Sequence, residues 1–171
     1  MGAGVLPVSL HNGTLYFLFG QEADEQKWCD FGGGSKSNET IMQTAIREGC
    51  EELSGFFGNP TDFNKLVKEN LITEFTTQNT IKGENTKKSY TTILFEIVYD
   101  EILPIYFNNQ YKFIKTHRPH LVCQNGLFEK RQIKWMTISD IKTNKKYFRP
   151  YYRSILDSLI EHEAMIKQSI K

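Results

Sequence analysis

The chain has few cysteines, no long apolar run and almost no net charge. Its three cysteines, Cys29, Cys50 and Cys123, are odd in number and widely spaced, so they fit neither a disulfide framework nor a zinc cluster. We therefore predict free, buried thiols in a reducing, intracellular (cytoplasmic) compartment. No apolar run reaches the roughly 18 residues of a transmembrane helix. The opening MGAGVLPVSL has no basic start typical of a secretory signal, and we expect no membrane partner.

The 171 residues are enough for one domain with a sizeable core. The net charge of +1 is the sum of two very unequal parts. Residues 111–153 contain eleven Lys and Arg but two acids, Glu129 and Asp140, which gives +9. The remainder has ten basic and eighteen acidic residues, which gives −8. Such asymmetry predicts a surface for a polyanion, and the alternative is an ordinary lysine-rich surface.

The most informative part of the chain is residues 33–55, GGSKSNETIMQTAIREGCEELSG. As a pattern it contains a glycine (Gly33), five residues, a glutamate (Glu39) and seven residues. An Arg-Glu pair that begins at Arg47 and a Glu-Glu pair that begins at Glu51 then follow. The spacing predicts one amphipathic helix from Asn38 to about Leu53, with Asn38 as N-cap and Glu39 in the first turn. Its expected buried face recurs at three- and four-residue spacing and comprises Met42, Ala45, Ile46, Gly49 or Cys50, and Leu53.

Three glutamates, Glu48, Glu51 and Glu52, are expected on the other side of this helix, where such neighbours lie about 5–6 Å apart. Like charges at these spacings cost roughly 0.2–0.5 kcal/mol per pair. Arg47 relieves only part of the repulsion. A hard cation such as Mg²⁺ would relieve the rest, since it takes oxygen ligands and keeps waters for substrate phosphates. The alternative is an acidic, solvated helix face.

The run Gly32-Gly33-Gly34 follows Trp28–Phe31, which predicts a short strand that enters a turn. We interpret the glycines as a loop, because glycine adopts positive φ or lets the backbone approach a ligand closely. Placed directly before the helix, such a loop would bring backbone carbonyls and amides to a metal ion and a phosphate.

The whole segment resembles the Nudix box, G-x5-E-x7-R-E-U-x-E-E-x-G-U, where U is a bulky apolar residue, and six fixed positions match. The resemblance implies an α/β fold, a Nudix-type α/β/α sandwich with a mixed β-sheet, over the single domain 1–171. It also implies cleavage of a diphosphate linkage in a nucleoside diphosphate joined to another moiety, with Mg²⁺ or Mn²⁺ as cofactor.

The resemblance further implies roles for particular residues. The expected metal ligands are the Gly32 carbonyl, Glu48, Glu51 and Glu52. The expected catalytic residues are Glu52 and Glu51, with Arg47 and Glu39 as the partners that orient them and Glu129 as a glutamate outside the box. Water activated by the metal, with a glutamate as base, would attack phosphorus. The expected substrate-binding residues are Trp28, Gly33, Lys130 and Arg131.

Three residues depart from the box. Gly49 stands where an apolar side chain is expected, and glycine inside a helix costs about 0.8–1.0 kcal/mol relative to Ala. Ser54 replaces the glycine and Gly55 the final apolar residue. We expect Gly55 to end the helix and Phe56 to supply the missing apolar contact.

The remaining pattern predicts further elements. Expected strands are Gly4–Leu10, Leu15–Gly20, Leu71–Thr77, Ser89–Asp100 and Ile133–Met136, with Lys82–Lys88 as a polar turn. The run from Thr92 to Tyr99 is apolar on both faces, which favours a central strand. A helix is expected over Thr61–Asn70 and another over about 150–169, and residues 101–122 are predicted to be an insertion over the site.

The box pattern does not identify the substrate. The basic segment and the aromatic residues of 101–122 favour capped RNA, and hence mRNA decapping, with phosphates on Lys and Arg and a base stacked on Trp28 or Tyr16. Small nucleotides, dinucleoside polyphosphates, ADP-ribose and inositol pyrophosphates are alternatives. A nonenzymatic RNA-binding Nudix-fold module is a further alternative. A catalytically silent module is expected to have lost a box carboxylate, and this chain keeps all of them.

Overall fold

The computed structural model describes residues 1–80, 87–124 and 126–170. The strands in these ranges are β1 (Gly2–His11), β2 (Thr14–Glu22), β3 (Trp28–Cys29), β4 (Phe31–Gly34), β5 (Leu71–Thr80), β6 (Lys87–Glu96) and β7 (Lys130–Thr137). The helices are α1 (Ile41–Glu52), α2 (Pro60–Glu69), α3 (Leu103–His117), α4 (Ile138–Asn144), α5 (Arg153–Glu161) and α6 (Glu163–Ser169). No helix within the described ranges is both long and apolar enough to span a bilayer.

The seven strands form one mixed sheet with the order β3-β2-β1-β6-β5, to which β4 and β7 are added at β1 and β2. Strand β1 is central: it pairs in parallel with β6, and antiparallel with β2 through its second half and with β4 through its first half. The β1–β2 hairpin turns at Asn12-Gly13, where both residues have positive φ, as the twist of a tight hairpin requires. The predicted mixed sheet and its opening hairpin are confirmed.

Helices cover both faces of the sheet. One core, from α1, α2 and α3, includes Ala45, Ile46, Phe63, Val67 and Phe107. The other, from α4, α5 and α6, includes Ile138, Ile141, Ile155, Leu159 and Ile166. The predicted α/β/α sandwich is therefore confirmed, and the apolar stripe after position 150 is core.

Most predicted elements lie within a few residues of the observed ones. Helix α2 begins at Pro60 because the Asn59 side chain accepts hydrogen bonds from the next free amides, which makes Asn59 its N-cap. Strand β6 is central, but it ends at Glu96, so the prediction of a strand to Asp100 was too long. The predicted Lys82–Lys88 turn lies outside the described residues, apart from its last two positions, which belong to β6.

Two segments differ from their simple predictions. Residues 101–122 contain helix α3, which packs Phe107 and Tyr111 inward. The Asn108 side chain accepts from the Ile133 amide at 2.8 Å and donates to the Ile133 carbonyl at 3.4 Å, which fixes α3 on the outer edge of β7. The helix expected over 150–169 is a 3-10 turn followed by α5 and α6, which are separated at His162. That 101–122 is an insertion stays a prediction.

Candidate active site

The box helix begins later than its pattern indicates. Thr40 is the N-cap of α1 and forms a capping box with Gln43: the Thr40 hydroxyl accepts from the Gln43 amide, and the Gln43 side chain accepts from the Thr40 amide. Asn38 has a φ of +68°, and Glu39 lies before the helix, not in its first turn. The predicted N-cap at Asn38 was wrong, because the reciprocal Thr40–Gln43 pair satisfies the free amides better than a lone amide side chain.

Glu39 is instead bound by the groups around it. Its carboxylate accepts from the Lys36 amide at 2.8 Å and from the Thr44 hydroxyl at 3.1 Å. It also accepts from two nitrogens of the Arg47 guanidinium. The hydrogen bonds from Arg47 and Lys36 lower the pKa of Glu39 to about 2. Glu39 therefore stays ionised at neutral pH.

Arg47 joins the polar residues of the box. Besides Glu39 it contacts Glu48 at 2.7 Å and Glu51 at 3.5 Å, both through Nη1, and its Nη2 donates to the Gly34 carbonyl at 3.0 Å. One guanidinium thus faces three carboxylates. These contacts match the orienting role expected for Arg47 and Glu39, although that role in catalysis stays a prediction.

The glycine run is a strand and not a loop. Gly32 and Gly33 belong to β4, which pairs with β1, and neither has positive φ. A Cβ on Gly32 would lie 2.3 Å from the Gly4 Cα, and a Cβ on Gly33 would lie 2.6 Å from the carboxyl carbon of Glu48. The glycines are therefore needed for close approach of β4 to β1 and to Glu48.

The three departures from the box have structural reasons. Gly49 lies against the sheet, where a Cβ would be 2.6 Å from a Val5 methyl carbon and 2.9 Å from the Phe63 ring. Helix α1 ends in a Schellman motif in which Ser54 itself adopts positive φ (52°) and the Gly55 amide donates to the Cys50 carbonyl. Ser54 is therefore the first residue after the helix cap, where Gly55 was expected to end the helix, although Gly55 also has positive φ (70°). Phe56 does supply an apolar contact, since the centroid of its ring lies 5.5 Å from the centroid of the Phe107 ring.

Glu52 differs from the other two box glutamates in that its side chain is buried. Its side chain is 3% exposed, whereas those of Glu48 and Glu51 are 15% and 33% exposed. Its Oε2 accepts from the Gly32 amide at 2.7 Å and lies 3.2 Å from the Lys130 Nζ. The prediction that all three carboxylates share one outer patch was wrong, because Glu52 faces the sheet beside β4.

Lys130 lies in the interior and not on the surface. Its side chain is fully buried, with Nζ 2.6 Å from Glu22 Oε1 and 3.1 Å from Cys29 Sγ. Glu22 and Lys130 are register partners on β2 and β7, and Arg149 also contacts Glu22 at 3.3 Å. Lys130 therefore has no access to substrate from solvent, and the substrate-binding role predicted for it was wrong.

The pKa values in this interior cluster depart from their ordinary values. Burial would lower the pKa of Lys130, but Cys29 and the carboxylates of Glu52 and Glu22 outweigh it, so the pKa is raised. Burial raises the pKa of Glu52 to about 8, against the opposing effect of Lys130. Burial likewise raises the pKa of Asp30 to about 7, although Tyr90 and Thr92 donate hydrogen bonds to it at 2.8 and 2.7 Å.

Sequence reasoning missed Glu22 and Asp30. Both are acids within predicted or observed strand segments, and that is the only signal in the sequence that marks them. The cysteine prediction is confirmed in that the cysteines are free. It was wrong about burial, since Cys29 is buried, Cys50 is partly buried and Cys123 is exposed.

The other predicted site residues lie apart from one another. Glu129 precedes β7 and is partly buried, and burial raises its pKa. It lines a cavity of about 250 Å³ with Glu22, Asp24, Cys123 and Arg149. Arg131 lies beside α3, and Trp28 is partly buried against the core in β3. The substrate-binding roles expected for Trp28, Gly33 and Arg131 stay predictions.

A different cavity, of about 310 Å³, opens at the glycine strand. Its lining includes the backbone of Gly32, Gly33 and Gly34 together with Lys88, Tyr90, Arg149 and Tyr151. The Tyr90 and Tyr151 rings meet edge to face at 5.1 Å, and the Arg149 guanidinium lies 5.2 Å from the centroid of the Tyr151 ring. No sequence pattern indicated this cavity, because its walls come from four distant segments.

The carboxylates fit a divalent ion only in part. Within the described ranges, no group of three or more His, Cys, Asp or Glu side chains is arranged to hold a metal. Glu48 and Glu51 are hard oxygen donors on the same side of Arg47, which suits Mg²⁺ or Mn²⁺. Glu52 is directed at Lys130 and the Gly32 amide instead. The predicted set of four ligands is not assembled as one cluster, and its role stays a prediction.

Comparison with solved structures identifies the fold. An Ap4A hydrolase of C. elegans matches with a TM-score of 0.57 and 18% identity, over 96% of both chains. A bifunctional NMN adenylyltransferase/ADP ribose pyrophosphatase of Francisella tularensis, complexed with AMP and a Mn ion, matches with a TM-score of 0.60 and 16% identity, over 94% of this chain and 41% of that one. The Nudix hydrolase RenU of M. smegmatis matches with a TM-score of 0.54 and 18% identity, over 96% and 86%.

These matches show that the chain has the Nudix fold, so the resemblance indicated by the box is confirmed at the level of the fold. One curated relative, an uncharacterized protein of Acanthamoeba polyphaga mimivirus, is 44% identical over 61 residues, 32% of this chain and 20% of that protein. The match thus spans only a fifth of that relative's length. No family model matches the chain.

Proposed function

We propose that the chain is a Nudix pyrophosphohydrolase that cleaves a diphosphate linkage in a nucleotide-like substrate. The observation that carries the proposal is the intact set of box side chains around Arg47, with Glu48 packed on the backbone of Gly33. A Nudix fold that serves only as scaffold does not need three carboxylates around one guanidinium. The fold relatives named Ap4A hydrolase and ADP ribose pyrophosphatase support a nucleotide-like substrate.

The cavity at the glycine strand is the proposed substrate site. A nucleobase would stack on the Tyr151 ring, since base–aromatic stacking is worth about 1–3 kcal/mol per base. Phosphates would meet the cationic Lys88 side chain, while Arg149, which is paired with Glu22 and Glu25, forms part of the cavity wall. The diphosphate would then lie along the backbone of Gly33, next to Glu48.

Glu48 and Glu51 are the residues proposed to hold Mg²⁺ or Mn²⁺, which when bound supplies charge neutralisation and activates water. Arg47 orients both carboxylates through a single nitrogen. Glu129 is the proposed general base outside the box, because it is a partly buried carboxyl group whose pKa is raised by burial and by the neighbouring acids, among them Glu48 and Glu51.

A mass-spectrometric product screen tests the proposal. The protein is incubated with dinucleoside polyphosphates, ADP-ribose, nucleoside triphosphates, inositol pyrophosphates and capped RNA, each with Mg²⁺ and with Mn²⁺. Cleavage at a diphosphate linkage is expected, and the variant Glu48→Gln should lose it. Glu69→Gln is the matched control, since Glu69 is 61% exposed and pairs only loosely with Lys65 at 3.9 Å. Folded protein that cleaves nothing in the panel would contradict the proposal.

A second candidate is decapping of RNA, favoured by the basic surface between α3 and β7. Lys112, Lys115 and Arg131 line a cavity of about 240 Å³ there, together with Asn108, Tyr111 and Gln132. The predicted polyanion surface is smaller than the count of charges indicates. Lys130 is buried, Lys145 is bound to Asp157, and Arg149 contacts Glu22 and Glu25.

Charge removal on this surface discriminates the two candidates. The triple variant Lys112→Gln, Lys115→Gln, Arg131→Gln should raise KM for capped RNA more than KM for a mononucleotide if long RNA is the substrate. Lys65→Gln, on an exposed helix face, is the control. Equal effects on both substrates would remove the decapping candidate. Salt-sensitive RNA binding without cleavage would favour the nonenzymatic module.

A further inference from the structure

The protein interior beside the box helix already contains a cation, the ammonium group of Lys130 on β7. The Lys130 ammonium has three hydrogens to donate, and three acceptors surround it: Glu22 at 2.6 Å, Cys29 at 3.1 Å and Glu52 at 3.2 Å. Its side chain is fully buried. An ammonium in such a place stays charged only because carboxylates surround it, and it neutralises them in turn.

One carboxylate oxygen of Glu52 is already occupied by other donors. Its Oε2 already takes the Gly32 amide and the Lys130 ammonium, and its side chain is 3% exposed. A divalent cation bound there would also lie beside the Lys130 charge, which repels it strongly where water is excluded.

Glu48 and Glu51, the two outer glutamates, have fewer cationic partners. Arg47 is the cation that faces Glu39, Glu48 and Glu51, so one positive charge meets three negative ones. Glu51 is 33% exposed and Glu48 15%, so a hydrated ion can reach both. In the interior, by contrast, Lys130 lies beside both Glu22 and Glu52, and Arg149 also contacts Glu22, so these two acids already have cationic partners.

We infer that Lys130 serves as a built-in cation for Glu52, so that Glu52 is a positioning residue that ties α1 to β4, while Glu48 and Glu51 recruit the divalent ion. The inference rests on the proposed function for its metal. The inference gives the box glutamates different roles in this chain, a difference that the box pattern itself does not indicate.

The test is Mn²⁺ binding without substrate, followed by the electron paramagnetic resonance signal of free Mn²⁺. The full chain is compared with Glu48→Gln, Glu51→Gln, Glu52→Gln and the exposed control Glu69→Gln. We expect the Mn²⁺ Kd to rise at least tenfold in Glu48→Gln and Glu51→Gln. In Glu52→Gln and Glu69→Gln it should change less than threefold. A tenfold or greater loss in folded Glu52→Gln protein, or wild-type protein that binds no Mn²⁺, would overturn the inference.

The variant Lys130→Met gives an independent readout. Removal of the ammonium frees Glu52 and Glu22 and removes its repulsion, so Mn²⁺ should bind several-fold more tightly, an effect that a merely structural lysine would not produce. Weaker or unchanged binding in folded protein would count against the inference. If Lys130→Met does not fold, Glu52→Gln still decides the matter. Because no substrate is present, a failed product screen would overturn the proposed function without altering these binding results.

Discussion

The Arg47 guanidinium binds the Glu39 carboxylate through two nitrogens, with Nε 2.7 Å from Oε1 and Nη2 2.9 Å from Oε2. The same planar group reaches Glu48, Glu51 and the Gly34 carbonyl. The segment before α1, the helix itself and the end of β4 are therefore joined at one side chain. A fork of donors in fixed geometry can do this, whereas a point charge cannot.

Arg47→Lys tests this arrangement. Lysine keeps the charge but loses the bidentate geometry, so we expect hydrolysis to fall at least tenfold and the free energy of unfolding to fall by roughly 1–3 kcal/mol. Kinetics and urea unfolding measure the two effects. Arg118→Lys is the control, because Arg118 is exposed. A lysine variant with wild-type activity would show that charge alone suffices.

Gly49→Ala tests the close packing of α1 on the sheet. Alanine gains about 0.8–1.0 kcal/mol in helix propensity. Its Cβ would lie 2.6 Å from a Val5 methyl carbon, and overpacking of a core costs about 1–3 kcal/mol. We expect net destabilisation of up to about 2 kcal/mol, measured by urea unfolding. The matched control is Gly34→Ala, whose Cβ meets nothing within 4 Å. A stabilised Gly49→Ala would mean that Val5 and Phe63 move aside.

Asp30→Asn tests the pH dependence of stability. Burial raises the pKa of Asp30 from 3.8 to about 7 in the folded protein. Between these values the folded state holds a proton that unfolding releases, so a rise in pH favours the unfolded state. The wild type should therefore lose about 1.4 kcal/mol of stability per pH unit relative to the variant between about pH 4 and 7. Urea unfolding across that range measures the slope.

The slope for Asp30→Asn is independent of any constant cost of the altered hydrogen bonds to Tyr90 and Thr92. Asp157→Asn, which removes an exposed carboxylate that binds Lys145, is the control for the loss of one acidic side chain. A stability difference that stays flat with pH would mean that Asp30 is ionised in the folded protein well below pH 7.

Glu129→Gln tests the proposed base outside the box. We expect kcat to fall by about 10²–10⁴-fold, the range typical of general base catalysis, with little change in KM. The control is Asp24→Asn, since Asp24 is exposed and lines the same cavity. Steady-state kinetics on the substrate found in the product screen measures both variants. A loss below threefold would remove Glu129 from the proposed mechanism.

Local patterns predicted much of the fold. Alternation and turn residues located β1, β2 and β7 within a few residues, and helical spacing located α1 and α2. The start of α1 was mispredicted because Asn38 and Thr40 are both good N-caps, and only the reciprocal bond with Gln43 selects Thr40. The glycine run was mispredicted as a loop. The sequence shows that glycine allows another chain segment to come close, but it does not show which segment that is.

The sequence by itself determined the box: the spacing from Gly33 to Glu52 places Arg47 and the outer carboxylates together through the geometry of one helix. Only the tertiary structure decided which glutamate is buried and which cation it meets. Glu22 and Lys130 are 108 residues apart in the chain and meet because β2 and β7 pair in one register. Helical periodicity has no information on such contacts, because they depend on strand pairing across the whole domain.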